Sequence, residues 1–105
     1  MKSLFKRASF ETISEAAQLR EVDERHFLSQ QIFFRRRGQQ WSQEDLARAA
    51  GLTQAQVATL EAGQANPTLR TLAKLATAFS CPVESLFEDP ESGGVVKPGQ
   101  QRRRK

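Results

Sequence analysis

Residues 41–63, WSQEDLARAAGLTQAQVATLEAG, leave this chain little freedom, because two helix-start signals stand close together with one glycine between them. In the first, the Ser42 hydroxyl can accept from the backbone N–H of Asp45, and the Asp45 carboxylate can reach back to the Ser42 N–H. Trp41 and Leu46 hold the flanking positions at which apolar side chains staple the entering chain to a helix. Thr53 and Gln56 repeat the reciprocal arrangement, with Leu52 and Val57 as a second staple. Leu46, Ala47 and Ala50 give the first helix a face to bury, and Gly51 ends it where glycine adopts a positive φ at little cost. Gly63 ends the second helix. So tight a connection throws the second helix across the first and leaves one of its faces projecting.

The rest of the chain reads as short helices, with no sustained strand alternation. Asp23 is placed to cap a helix over about residues 24–37, with a ragged apolar stripe of Phe27, Leu28, Ile32 and Phe34 and an exit at Gly38. After the turn QANP, Thr68 caps a helix whose Leu69, Leu72, Leu75 and Phe79 keep a 3.6-residue stripe. Pro82 opens a last short helix with Val83, Leu86 and Phe87 inward. Ahead of this body, SFETISEAAQL reads as an extra helix capped by Ser9 and carrying Phe10, Ile13 and Ala17. Beyond Asp89, PESGGVVKPGQQRRRK has nothing to bury and reads as disordered. The expectation is an all-α chain: an N-terminal helical extension over 1–21, a five-helix domain over 22–88, and a basic tail over 89–105.

The formal net charge of +4 is unevenly spread. Residues 1–21 hold four basic and three acidic side chains, residues 22–88 seven of each, and residues 89–105 five basic and two acidic. The excess sits in the ends, which permits a nucleic-acid partner without demanding one. No apolar run approaches the roughly 18 residues of a membrane helix, and nothing at the N-terminus resembles a secretory signal. A cytoplasmic location without membrane attachment is the expectation. Cys81 and His26 each stand alone, so no disulfide, no metal site and no cofactor are expected. Cys81 suits an apolar slot of the core. His26 has no nucleophile or second ligand near it, and no enzymatic constellation is visible.

The outward face of the second helix poses the functional question. Gln54, Gln56 and Thr59 are uncharged and polar where solvated helices usually carry Lys and Glu. Periodicity alone leaves two readings open: an ordinary solvated face, or a face that reads a partner by hydrogen bonds.

A wider pattern bears on that choice. Ser42-Gln43-Glu44-Asp45-Leu46-Ala47, Gly51, Thr53, Val57, Leu60-Glu61-x-Gly63, Pro67-Thr68-Leu69-x-Thr71-Leu72 and Leu86-Phe87 closely resemble, in order and spacing, the phage-repressor class of helix-turn-helix proteins (Cro/C1, Xre-type). The resemblance covers roughly residues 26–88. It implies a lambda-repressor-like DNA-binding domain whose helix over 53–62 lies in the major groove of double-stranded DNA. Base-reading positions would be Gln54, Ala55 and Thr59, with Gln56 near bases or phosphate. An amide can pair bidentately with adenine, and Ala55 or the Thr59 methyl can touch a thymine methyl. Phosphate contacts would fall to Gln43, Thr53, Gln64, Asn66, Thr68 and Arg70, with Gln43 also bracing Gln54. Arg36 and Glu61 match an ion pair that orients the reading helix.

Arg35 stands where the family usually has Leu, and Phe33 or Phe34 is expected to compensate in the core. Gln40 and Ser80 replace glycines, and the first of these turns is expected to shift toward Gly38. The resemblance further implies a transcriptional regulator, in the first instance a repressor, acting as a homodimer on a pseudo-palindromic operator. The apolar residues of the extension make it the expected extra interface. The competing role is the antitoxin of a toxin–antitoxin pair, which binds both its operator and a toxin protein.

Overall fold

The structure, a computed structural model, describes residues 10–92. Four α-helices run in order: α1 Phe10–Gly38, α2 Gln43–Ala50, α3 Gln54–Glu61 and α4 Leu69–Phe79. Two 3-10 turns follow, Val83–Phe87 and Pro90–Ser92. The class is all-α as expected, the expected last helix is a 3-10 turn, and the start of the segment expected to be disordered is ordered, with Pro90 buried in the second 3-10 turn. The expected cap at Ser9 and the residues from 93 onward, with the Arg102–Arg104 run, lie outside the described residues.

The largest departure is α1. Asp23 does not start a helix; it lies inside one that continues for 29 residues, a length of about 44 Å. The physical reason is local. Between residues 10 and 37 there is neither glycine nor proline to break the helix, and extending a helix costs less than nucleating another. The pairs Glu21–Arg25 at 2.9 Å and Arg20–Glu24 at 4.0 Å bridge the turns around Asp23. The boundary drawn between residues 21 and 22 therefore falls in mid-helix, and what changes near it is packing. Residues 12–23 are almost all exposed, and burial begins at Leu28.

The buried stripe of α1 is Leu28, Ser29, Gln31, Ile32 and Arg36, so polar side chains complete its helical period. Phe27, Phe33 and Phe34 are half-buried and stand outside the core cluster, contrary to the compensation expected of Phe33 or Phe34. Gln31 is fully buried and spans the gap instead: its amide donates to the Glu88 carbonyl at 2.8 Å and accepts from Arg35 Nε at 2.9 Å. That bridge ties α1 to the Val83–Phe87 turn.

The core itself gathers Leu46, Ala47 and Ala50 of α2, Val57 and Leu60 of α3, Leu75, Ala76 and Phe79 of α4, and Leu86. Trp41 stacks on Phe79 with ring centroids 6.1 Å apart, which seats the α1–α2 connection. Cys81 packs against the core, and partial burial raises its thiol pKa. Leu69 does not join its stripe: it sits at the first turn of α4 and is 73% exposed.

All four helices end in one motif. A backbone N–H donates to the carbonyl five positions earlier, at Trp41 to Arg36, Leu52 to Ala47, Gln64 to Thr59 and Cys81 to Ala76. The residue before each donor takes a positive φ: Gln40 (61°), Gly51 (70°), Gly63 (73°) and Ser80 (56°). The turn after α1 is thus made by Gln40 itself and does not shift toward Gly38.

Candidate nucleic-acid interface

Both reciprocal caps form. Ser42 accepts from Asp45 N at 3.0 Å while Asp45 accepts from Ser42 N at 2.9 Å. Thr53 accepts from Gln56 N at 3.0 Å while Gln56 Oε1 accepts from Thr53 N at 2.8 Å. Within the first cap, the hydrogen bond from the Ser42 backbone, then the Ser42 side chain and, less, Arg48 hold the Asp45 carboxyl below its ordinary pKa. Gly51 takes a left-handed conformation, and Lys74 Nζ lies 3.5 Å from its carbonyl. The α2–α3 connection is thereby anchored at both ends.

Val57 and Leu60 are buried, so α3 can only be seated one way. Gln54, Ala55, Gln56, Ala58, Thr59 and Ala62 are then all exposed. This surface carries no charge. The one charged side chain of α3, Glu61, turns inward onto Arg36, with Oε2 2.5 Å from Nε and Oε1 3.1 Å from Nη2. Arg36 also donates to the Trp41 carbonyl at 2.8 Å. Both side chains of the pair are about nine-tenths buried, so the pair fixes the far end of α3 against α1.

Gln43 adds a third arm to this cluster. Its amide nitrogen donates to Glu61 Oε1 at 3.1 Å, in place of the expected brace to Gln54. Its second amide proton remains, and so does its backbone N–H at the first turn of α2, which has no partner within the helix. Helix N-termini of this kind attract phosphate.

Grooves flank α3 on both sides. One, of about 360 Å³, is lined by Ala55, Gln56 and Thr59 together with Asn66, Pro67 and Thr68. The other, of about 540 Å³, runs between Phe33 of α1, Gln43, and Ala58 and Ala62 of α3. The expected reading positions Ala55, Gln56 and Thr59 and the expected phosphate positions Asn66 and Thr68 thus meet in one groove, with Gln43 across the helix. Gln54 is exposed and lines neither groove, one turn before Ala58. Thr53 is exposed at the N-cap of α3, while Gln64 and Arg70 are exposed and line neither groove.

Several of these side chains are already engaged. Gln56 gives its acceptor oxygen to the cap, so it keeps a donor but not the pair of groups a bidentate contact to adenine requires. Thr59 Oγ1 donates to the Ala55 carbonyl at 2.9 Å, which leaves its methyl and its lone pairs. Thr68 Oγ1 caps α4 by accepting from Thr71 N at 3.1 Å. Asn66 Oδ1 accepts from Arg25 Nη1 at 3.0 Å.

Three participants escaped the sequence reading. Ala58 and Ala62 were legible, since they fall one turn and two turns from Gln54. Arg25 was not: it meets Asn66 across 41 residues, and no local pattern marks it.

Two short helices on a glycine turn, the second projecting an uncharged face between two grooves, define the helix-turn-helix class. The chain belongs to the helix-turn-helix family (HTH_3), whose profile matches residues 34–86, a region that takes in the Cro/C1-type pattern from Ser42 to Leu86. It is 34% identical over 77 residues to the HTH-type transcriptional regulator SutR of Escherichia coli K12; the match takes in 71% of this chain and 43% of that protein. The chain therefore spans less than half the length of that relative. A hypothetical transcription factor, NHTF, from Neisseria superposes with a TM-score of 0.65 at 32% identity, over 70% of this chain and 82% of its own. An HTH_3 family transcriptional regulator from Vibrio cholerae superposes with a TM-score of 0.58 at 25% identity, over 64% of this chain and 37% of its own.

Proposed function

We propose that this chain is a sequence-specific DNA-binding transcriptional regulator that lays α3 in the major groove, with residues 22–88 as the reading domain. The observation that carries this reading is the uncharged face of α3, raised between grooves that hold hydrogen-bonding side chains on both sides. A solvated helix gains nothing from excluding Lys and Glu; a helix that reads base edges needs amides and methyls there. Among the described residues Gln54 is the α3 amide with both donor and acceptor unengaged. It is assigned the principal base contact, with Ala55 and the Thr59 methyl for apolar contact and Gln56 as a donor. Gln43, Thr53, Asn66 and Thr68 hold phosphates, with Gln64 and Arg70 at the edge.

One reading helix samples only a few base pairs, so the chain acts as a dimer on a pseudo-palindromic operator, as a repressor. Selecting bound fragments from random DNA gives the operator and its symmetry. Gln54→Ala then relaxes preference at one base position by about 1–3 kcal/mol, whereas Gln43→Ala weakens all sequences alike. Unchanged preference in Gln54→Ala rules out α3 as the reader. The antitoxin role draws on the exposed Ile13, Leu19 and Val22, a surface another protein could cover. A copurifying small basic ribonuclease-like protein favours it, and a chain recovered without one counts against it.

A further inference from the structure

The N-terminal half of α1 stands clear of the core and exposes apolar side chains that the reading function does not use. Leu19 is 70% and Val22 54% exposed. On a helix of 3.6 residues per turn, Leu19, Val22, His26 and Phe33 fall on one stripe, at spacings of three, four and seven. That stripe lies on the side of α1 away from Leu28 and Ile32, the residues that face the core. At its C-terminal end it opens into the groove of about 540 Å³ that Phe33 shares with Gln30, Ala58 and Ala62.

Charge divides the same helix. Residues 10–24 carry Glu11, Glu15, Glu21, Asp23 and Glu24 against Arg20, and residues 25–38 carry no acid and, besides the buried Arg36 that Glu61 neutralises, Arg25, Arg35 and Arg37. Two such helices repel when parallel and attract when antiparallel.

We propose that α1 pairs antiparallel with α1 of a second copy of this chain, about a two-fold axis at His26. This deepens the dimer invoked above by giving it an interface. The stripe is symmetric about that residue: Leu19 and Phe33 each lie seven positions from it, and Val22 and Gln30 each lie four. Leu19 of one copy then lies against the partner's Phe33, and Val22 against the partner's Gln30, which leaves Gln43, Ala58 and Ala62 to the DNA side. Glu15 and Arg37, each eleven positions from His26, face one another at both ends of the seam. The arrangement is isologous, so each contact occurs twice across the axis.

The test uses the full chain, with its mass measured by light scattering over a micromolar concentration series without DNA. The wild type is expected to be a dimer. Glu15→Arg and Arg37→Glu each weaken it about tenfold, and the two together restore most of the loss. In a Cys81→Ser background, mild oxidation links His26→Cys to itself at the axis. Leu19→Cys does not link to itself but links to Phe33→Cys in a mixture. Circular dichroism and the urea unfolding midpoint verify that each variant is folded. A monomeric mass at every concentration, a dimer unmoved by either charge reversal, or Leu19→Cys joining to itself overturns the pairing. A monomer that still prefers one DNA sequence sinks the pairing and spares the reading function; a charge-sensitive dimer with no DNA preference does the reverse.

Discussion

Gln40 and Ser80 hold left-handed conformations in which their Cβ atoms crowd the following carbonyl, at a cost of about 1–2 kcal/mol each relative to glycine in the folded state. Glycine gives back about 0.5–1 kcal/mol through the extra freedom of the unfolded chain. Gln40→Gly and Ser80→Gly should therefore each stabilise the protein by roughly 0.5–1 kcal/mol, read as a rise of a few degrees in thermal midpoint. Gly51→Ala should do the opposite; no atom lies within 4 Å of the added methyl, so the penalty there is conformational and not steric. The Arg36–Glu61 pair makes a different demand. Both side chains are about nine-tenths buried, and removing one leaves the other charge uncompensated. Glu61→Ala should cost about 3 kcal/mol in urea unfolding, and Arg36→Met combined with Glu61→Leu should cost less than the single change.

Each short helix is held by its ends as much as by its face. Thr53 and Ser42 cap helices of only eight residues, so Thr53→Ala and Ser42→Ala should each lower stability by about 1 kcal/mol. Thr53→Ala should also weaken binding to all DNA sequences together. The Asp45 half of the first cap titrates. Its folded pKa lies below the unfolded value, so its contribution is complete above the ordinary carboxylate range and is lost as pH falls below about 4 through the folded value. Asp45→Asn should flatten that acid limb in a series of unfolding curves. α1 obeys another rule. Residues 12–23 are almost all exposed, and the i,i+4 pairs around Asp23 carry the helix across to the part that packs.

For the molecule as a whole, charge and recognition are spatially separated. The residues assigned to phosphate are neutral apart from Arg70, whereas residues 93–105 hold five basic side chains and no acidic one. Their deletion should reduce the slope of log affinity against log salt, by about 0.9 for each phosphate that the tail neutralises, without altering base preference. A change in the selected operator on deletion would assign the tail a reading role. Among the described residues no helix is long and apolar enough to cross a membrane.

The capped tandem at Ser42 and Thr53, the stops at Gly51 and Gly63, and the seat formed by Val57 and Leu60 were legible because they are local. Hydrogen bonds over three residues and a 3.6-residue period are written in adjacent letters. The length of α1 was misread because Asp23 is a good cap only where a helix needs to begin, and nothing upstream stops one. The fates of Leu69, Phe33 and Phe34 were likewise hidden, since an apolar residue is inside only if another element arrives to cover it. Whether Gln43 leans on Gln54 or on Glu61, and whether Arg25 reaches Asn66, depends on contacts between elements 18 and 41 residues apart. Local pattern therefore specified the reading helix and its outward residues. Packing between distant elements set what each of those residues still has free to offer.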